Sequence, residues 1–146
     1  VLIKNAEALE RFEKIDTLVV DKTGTLTEGK PRVIALHAAA GMDETEALRL
    51  AASLDRASAH PLAEAVVRAA LERGLTLVEP VGFESVTGKG VKGEVDGKTI
   101  LVGSSRFLAE YGAGTEALDA AADVLRADGA TVIFVGIDGR AALALG

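Results

Sequence analysis

The residue best placed for chemistry is a carboxylate at the end of an apolar segment. Asp21 follows the apolar run at residues 17–20 and opens the heptapeptide DKTGTLT at residues 21–27. The run predicts a strand, and open α/β sheets carry their chemistry at the carboxyl ends of strands. Asp21 could act there as a nucleophile that carries a phosphoryl group, with Lys22 as a nearby cation. Gly24 would let the backbone approach phosphate oxygens closely. The motif in this context therefore predicts phosphoryl transfer rather than an ordinary Asp-rich turn.

This heptapeptide resembles the phosphorylation motif of the P-type ATPases, which implies that Asp21 receives the γ-phosphate of ATP. The haloacid dehalogenase superfamily, to which that phosphorylation domain belongs, usually has a second Asp two positions later that hydrolyses the phosphoenzyme. Thr23 occupies this position and cannot act as a base near neutral pH. We therefore expect a pump with a long-lived phosphoenzyme, and a haloacid dehalogenase-type phosphatase is the alternative. The resemblance also implies that Asp21 and the Thr23 carbonyl bind Mg²⁺ in the parent pump.

Length and composition limit the remaining possibilities. The chain has 146 residues, which suffices for one buried domain, or for one domain and a fragment of another. Its net charge of −6 argues against nucleic acid or an anionic membrane surface as a partner. The absence of cysteine excludes disulfides. No apolar stretch approaches the roughly 20 residues that span a bilayer, so we expect this part of the protein to be soluble.

Periodicity and turn signals divide the chain at a hinge near residues 28–31. Residues 1–31 are interpreted as the start of a phosphorylation domain and residues 32–146 as a second domain. The predicted helices are residues 5–13, 43–57, 61–73 and 115–128, and the predicted strands are residues 17–20, 32–38, 81–86, 90–95, 99–102, 131–137 and 140–145. The fold class is α+β, with an antiparallel sheet flanked by helices. A helix-strand piece of a haloacid dehalogenase-like α/β domain precedes it.

Two short segments are candidates for ligand binding, although each has an ordinary structural explanation. His60 precedes Pro61 at a helix start, where a His can simply cap the helix, but an imidazole there could also stack on a purine or hydrogen-bond to it. Gly88 and Gly90 are typical of a turn or bulge, yet they would also let a nucleotide approach the backbone. Lys89 between them could add positive charge toward phosphates.

Three strings together, SAHPLAEAV, GFESVTGKGVKGEV and ILVGSSRFL, resemble the nucleotide-binding domain of heavy-metal P-type ATPases, most closely the copper-exporting members. The resemblance implies that His60 contacts adenine and that the two glycines lie beside the nucleotide. Asp55 stands where the family usually has Glu, and Ser104 where Asn is common. The nucleotide-binding residues implied in this way are Asp55, His60, Gly88, Lys89, Gly90, Val91 and Ser104.

The same resemblance predicts the setting of the chain. We expect a cytoplasmic piece of a larger integral membrane transporter, with ATP and ADP as ligands and the remaining phosphorylation, actuator and membrane domains as partners. Copper(I) is the preferred cargo, followed by zinc or cadmium. Further phosphate- and Mg²⁺-binding motifs of the family are not matched in these residues, so we expect nucleotide binding without complete phosphoryl transfer. A non-catalytic nucleotide-sensing module is a second alternative.

Overall fold

The structure is a computed structural model that describes residues 15–17, 19–21 and 29–146. The chain divides into two compact units, Val1–Lys30 and Pro31–Gly146. In the first unit the predicted strand at residues 17–20 is not observed, because Thr17, Val19 and Val20 belong to no strand. The side chain of Val19 is 92% exposed. A strand requires a hydrogen-bonded neighbour, and no described segment pairs with these residues. The predicted helix at residues 5–13 lies outside the described residues.

The second unit contains six strands and four α-helices among the described residues. In chain order they are β1 (Leu36–Ala38), α1 (Glu44–Asp55), α2 (Pro61–Glu72), β2 (Val81–Val86), β3 (Gly90–Val95), β4 (Lys98–Gly103), α3 (Ser105–Glu110), α4 (Asp119–Ala127), β5 (Ile133–Ile137) and β6 (Arg140–Leu145). A short 3₁₀ turn at Glu116–Leu118 precedes α4. No helix among the described residues is long and apolar enough to cross a bilayer.

All strands belong to one sheet in the order β1-β6-β5-β4-β3-β2, and every neighbouring pair is antiparallel. The α+β fold class is therefore confirmed. Two tight turns fix the register of the central strands. Asp96 and Gly97 both have positive φ, as do Asp138 and Gly139, which matches the backbone twist that two-residue hairpins require. The first turn places Val95 opposite Lys98, and the second places Ile137 opposite Arg140. Both turns lie at the Asp-Gly pairs where the sequence predicts them.

Both faces of the sheet are covered by helices. Ile100, Val102 and Val135 belong to a core cluster with α1 and α2. Leu101 and Phe134, the alternate positions on the same strands, belong to a second cluster with α3 and α4. Side chains alternate between the two faces of a strand, and both faces of β4 are covered. Apolar residues are therefore needed at consecutive positions, and β4 is an almost continuous apolar segment. The helices thereby hold the loops at one end of the sheet in fixed positions.

The helix starts are only partly as predicted. Asp43 caps α1 by accepting a hydrogen bond from the Glu46 amide at 2.8 Å. The Glu46 carboxylate does not complete a capping box, since it accepts from the Arg49 guanidinium at 2.8 Å. The predicted cap at Thr115 is wrong, because its hydroxyl donates to Asp119 and bonds no helix amide. The short helix α3, capped by Ser104, was not predicted.

Candidate functional site

One cleft of the second unit brings together all seven residues that the sequence assigns to nucleotide binding. Its volume is about 380 Å³, within the usual range for small-ligand sites. The end of α1, the start of α2, the β2–β3 turn and the start of α3 form its walls. The predicted residues that line it are Asp55, His60, Gly88, Lys89, Gly90, Val91 and Ser104.

His60 caps helix α2 with its ring. The Nδ1 atom accepts a hydrogen bond from the Leu62 amide at 3.1 Å, and Pro61 occupies the first helical position, where no amide hydrogen is needed. The His60 amide in turn donates to the Ser58 hydroxyl at 3.2 Å. Because Nδ1 is an acceptor, the neutral ring carries its hydrogen on Nε2. An exposed side chain at the cleft therefore has a donor and an aromatic face available for a ligand.

Asp55 is the buried carboxyl group of the cleft. It is the last residue of α1 and is 3% exposed. Its Oδ2 atom accepts no hydrogen bond from any described residue. Burial without a compensating partner disfavours the ionised form and raises the pKa of Asp55 to about 7. Asp55 can thus donate a hydrogen bond as a neutral acid or accept bonds as an ion near neutral pH.

The glycines of the cleft have different structural reasons to be glycine. Gly88 has a φ of +72° in the β2–β3 turn, and a side chain at this position would meet nothing within 4 Å. Gly90 lies opposite Gly103 in the sheet, and a methyl group at Gly90 would come within 2.6 Å of the Phe107 ring. Gly88 is therefore required by backbone conformation and Gly90 by packing. Gly88 also adds no side chain to the adjacent cleft.

Lys89 and Ser104 are engaged in contacts that the sequence did not predict. The Lys89 ammonium bonds the Glu110 carboxylate at 2.8 and 2.9 Å, so its charge is directed toward α3. The Lys89 carbonyl accepts from the Ser104 amide at 3.1 Å. The Ser104 hydroxyl accepts from the Phe107 amide at 3.2 Å and so caps α3. These bonds join the glycine-containing turn to α3 and fix one wall of the cleft.

The predicted phosphorylation residues belong to the other unit. Asp21 is exposed, whereas Lys22 and Thr23 lie outside the described residues. No group of three metal-ligating side chains occurs within residues 15–17, 19–21 and 29–146. The described residues therefore do not assemble the Mg²⁺ site that the resemblance implies, and we assign no chemical step to a metal.

Sequence reasoning missed several polar residues of the cleft. Ser58, Ser85 and Thr131 also line it. Ser58 lies within one of the family-like strings and was not singled out, although its spacing from His60 allows the hydrogen bond observed. Ser85 lies in another of these strings and Thr131 lies just before β5, and no local pattern places the two at the same site. Only the sheet topology brings them together.

Comparisons with known proteins agree with this architecture. Residues 15–146 match the sequence model of the haloacid dehalogenase-like hydrolases. A copper-transporting P-type ATPase of Rhizobium leguminosarum bv. viciae is 56% identical over 97% of the chain, which spans 17% of that relative. The chain also resembles the catalytic domain of the CPx-ATPase CopB-B, with a TM-score of 0.68 and 30% identity over 99% of this chain and 48% of that one. It resembles the N-domain of HMA8, a copper-transporting P-type ATPase, with a TM-score of 0.66 and 27% identity over 80% and 98% of the two chains.

Proposed function

Because the chain belongs to the haloacid dehalogenase-like hydrolase family, we propose that it is the ATP-binding part of a heavy-metal-transporting P-type ATPase. Its similarity to copper-transporting P-type ATPases confirms the family resemblance that the sequence predicts. The chain spans about a sixth of the curated relative, at 17% of its length, so activity, cargo and partner domains of the whole protein are part of the proposal. Residues 32–146 are assigned to nucleotide binding and residues 1–31 to the start of the phosphorylation domain.

The observation that carries the proposal is the gathering on one cleft of the seven residues that the resemblance implies. They come from four segments of the chain, between residues 55 and 104. Chance proximity is a poor explanation, since α1, β3 and α3 are separated by other elements in the sequence. The cleft combines a helix-start imidazole, a buried carboxyl group and a glycine-containing turn. This combination suits a purine with its ribose and phosphates.

Each of these groups has a defined part in the proposed site. The His60 ring stacks on the base or donates from Nε2, while Asp55 bonds the edge of the base. The glycine turn at Gly88 and Gly90 lets the ribose or phosphates approach the backbone. Lys89 contributes to phosphate binding only if a nucleotide competes with its bond to Glu110, whose distance is 2.8 Å. The base is therefore the main determinant of affinity in this domain.

In the parent pump, the bound nucleotide presents its γ-phosphate to Asp21. A carboxylate oxygen of Asp21 forms a bond to the γ-phosphorus while the bond from phosphorus to the bridging oxygen of ADP breaks. ADP leaves, and Asp21 carries the phosphoryl group as an acyl phosphate. The absence of a second acid at Thr23 disfavours rapid hydrolysis of this intermediate. The transported ion is proposed to be copper, with the remaining phosphorylation, actuator and membrane domains as covalent partners in a membrane-embedded transporter.

The test of nucleotide binding compares two substitutions at His60 in the 146-residue chain. His60→Asn keeps a side-chain acceptor for the Leu62 amide, whereas His60→Ala removes it, and both remove the ring. We expect both variants to lose about five- to thirtyfold in ATP affinity by isothermal titration, which corresponds to 1–2 kcal/mol for one stacking contact. Unchanged affinity in a folded His60→Asn variant would leave His60 as a helix cap alone. ATP-induced chemical-shift changes confined to the Asp21 segment would contradict the proposed site as a whole.

A further inference from the structure

The placement of Asp55 is unusual for an acidic residue. It lies at the carboxyl end of α1, where the unpaired helix carbonyls disfavour negative charge. It lines the cleft yet is 3% exposed, and Oδ2 has no hydrogen-bond partner among the described residues. An isolated buried carboxylate is costly, and a protein avoids that cost by keeping the group protonated. The geometry itself therefore favours the neutral acid.

No neighbouring charge reverses this preference. The other ionisable residues that line the cleft are His60 and Lys89, and the Lys89 ammonium is paired with Glu110 at 2.8 Å. Several cations on α1, at its end and on elements packed against it are bonded elsewhere: Arg49 and Lys98 to Glu46, Arg56 to Glu79, Arg73 to Glu44, and Lys92 to Glu84. The remaining titratable or charged residues of these elements are His37, Glu64, Arg68, Glu72, Glu94 and Arg140. Burial is the cause that raises the pKa of Asp55.

The two protonation states are complementary to different purines. A neutral carboxylic acid has one hydrogen-bond donor, its O–H, beside one acceptor, its carbonyl oxygen. Adenine has the complementary pair on its Watson–Crick edge, because N1 accepts and the 6-amino group donates. A carboxylate presents two acceptors and matches the two adjacent donors of guanine, N1–H and the 2-amino group. The same side chain can thus form a paired set of hydrogen bonds with either base, depending on whether it holds a proton.

We infer that Asp55 recognises adenine as a neutral carboxylic acid and that loss of its proton shifts the cleft toward guanine. The inference rests on the proposed nucleotide-binding function and adds a regulation to it. Nucleotide choice becomes linked to pH, with adenine favoured on the acidic side and guanine on the alkaline side. The proton stays on Asp55 when adenine binds, so binding above the pKa takes up a proton from solvent.

The size of the effect follows from the titration midpoint. With a pKa of about 7, roughly 90% of Asp55 is neutral at pH 6 and roughly 10% at pH 8. If only the neutral form pairs with adenine, ATP affinity falls about tenfold over this interval. The ratio of ATP to GTP affinity changes by at least the same factor because GTP gains over the same range. Phosphate titration cancels in this ratio, since both nucleotides carry the same triphosphate.

The experiment measures Kd for ATP and GTP at pH 6, 7 and 8 with a chelator present, using the 146-residue chain. Asp55→Asn is the decisive variant, because the Asn amide also offers one donor and one acceptor but does not titrate. We expect this variant to bind ATP at pH 8 about as tightly as the unsubstituted chain does at pH 6, and to keep its ATP preference at every pH. Asp128→Asn, an exposed acid at the end of α4, should behave like the unsubstituted chain.

The inference is overturned if ATP affinity rises with pH or if a folded Asp55→Asn variant loses ATP binding at pH 6. It is also overturned if a pH-dependent ATP/GTP ratio persists unchanged in that variant. The last result would place the titrating group elsewhere. Binding of either nucleotide with a flat ratio also overturns the inference and leaves the proposed function intact. Failure of both nucleotides to bind at any pH contradicts the proposed function as well.

Discussion

Replacing Asp55 with Asn is expected to stabilise the second unit by an amount that grows with pH. In the native state burial raises the pKa of Asp55 from 3.8 to about 7, whereas the unfolded chain returns it to the lower value. Between these two values unfolding releases a proton, so rising pH favours the unfolded state. The stabilising contribution of the neutral acid is complete below pH 4 and is lost by about pH 7. The Asn variant has no such loss, because it does not ionise.

The size of the pKa shift of Asp55 sets the largest expected difference in free energy of unfolding between the Asp55→Asn variant and the unsubstituted chain. A displacement of about three pH units corresponds to about 4 kcal/mol, at 1.36 kcal/mol per unit. We therefore expect the two free energies of unfolding to diverge by on the order of 1 kcal/mol per pH unit between pH 4 and 7 and to run parallel above it. Unfolding by urea, followed by far-ultraviolet circular dichroism and extrapolated to water, gives these values at each pH.

A matched control separates burial from helix-end effects. Asp128 directly follows the last residue of α4 and is exposed, so Asp128→Asn removes a carboxylate from a similar helix position without the burial. The free energy of unfolding of the Asp128→Asn variant is expected to stay within about 0.5 kcal/mol of that of the unsubstituted chain at every pH. A difference for Asp55→Asn that is independent of pH would refute the assignment of a proton to the buried carboxyl group.

The remaining predictions concern the other groups of the cleft. His60→Ala should lower the free energy of unfolding by about 0.5–2 kcal/mol through loss of the α2 cap, whereas His60→Asn should retain it, as thermal unfolding would show. Gly90→Ala should cost about 1–3 kcal/mol because its methyl group would collide with the Val102 carbonyl oxygen and the Phe107 ring. Gly88→Ala should cost only about 1 kcal/mol, from its positive φ, and equal costs would contradict the packing explanation. ATP and ADP should bind the chain within a few-fold of each other, and chelation of Mg²⁺ should change neither Kd tenfold, because the proposed site binds the base more than the phosphates.

Much of the fold could be predicted because its signals are local. The strands β2, β3 and β6 begin and end at the predicted residues, since tight turns with Asp-Gly or Thr-Gly sequences bound them. Helix α3 has six residues, too few for a helical period to emerge, and its cap at Ser104 follows directly on β4. The apolar run before Asp21 was predicted as a strand from composition alone, yet strand formation depends on a partner that composition does not reveal.

Part of the lining of the cleft could be predicted, but its energetics could not. The resemblance named seven of the residues that line the cleft, and it did not single out Ser58, Ser85 or Thr131. That Asp55 is buried without a partner depends on how α1 packs against the sheet, and this is a property of the tertiary structure. The bond from Lys89 to Glu110 likewise joins residues 21 positions apart. Charge and protonation in this cleft therefore follow from long-range contacts, which a local motif does not contain.

The two ends of the second unit are hydrogen-bonded neighbours. The Ile34 amide donates to the Gly146 carbonyl at 2.8 Å, and the Gly146 amide donates to the Ala35 carbonyl at 3.0 Å. A segment whose ends nearly meet can be spliced into a surface loop of a host protein without spreading the flanking residues apart. Closing such a loop adds little entropy cost to the host, whatever the length of the insert.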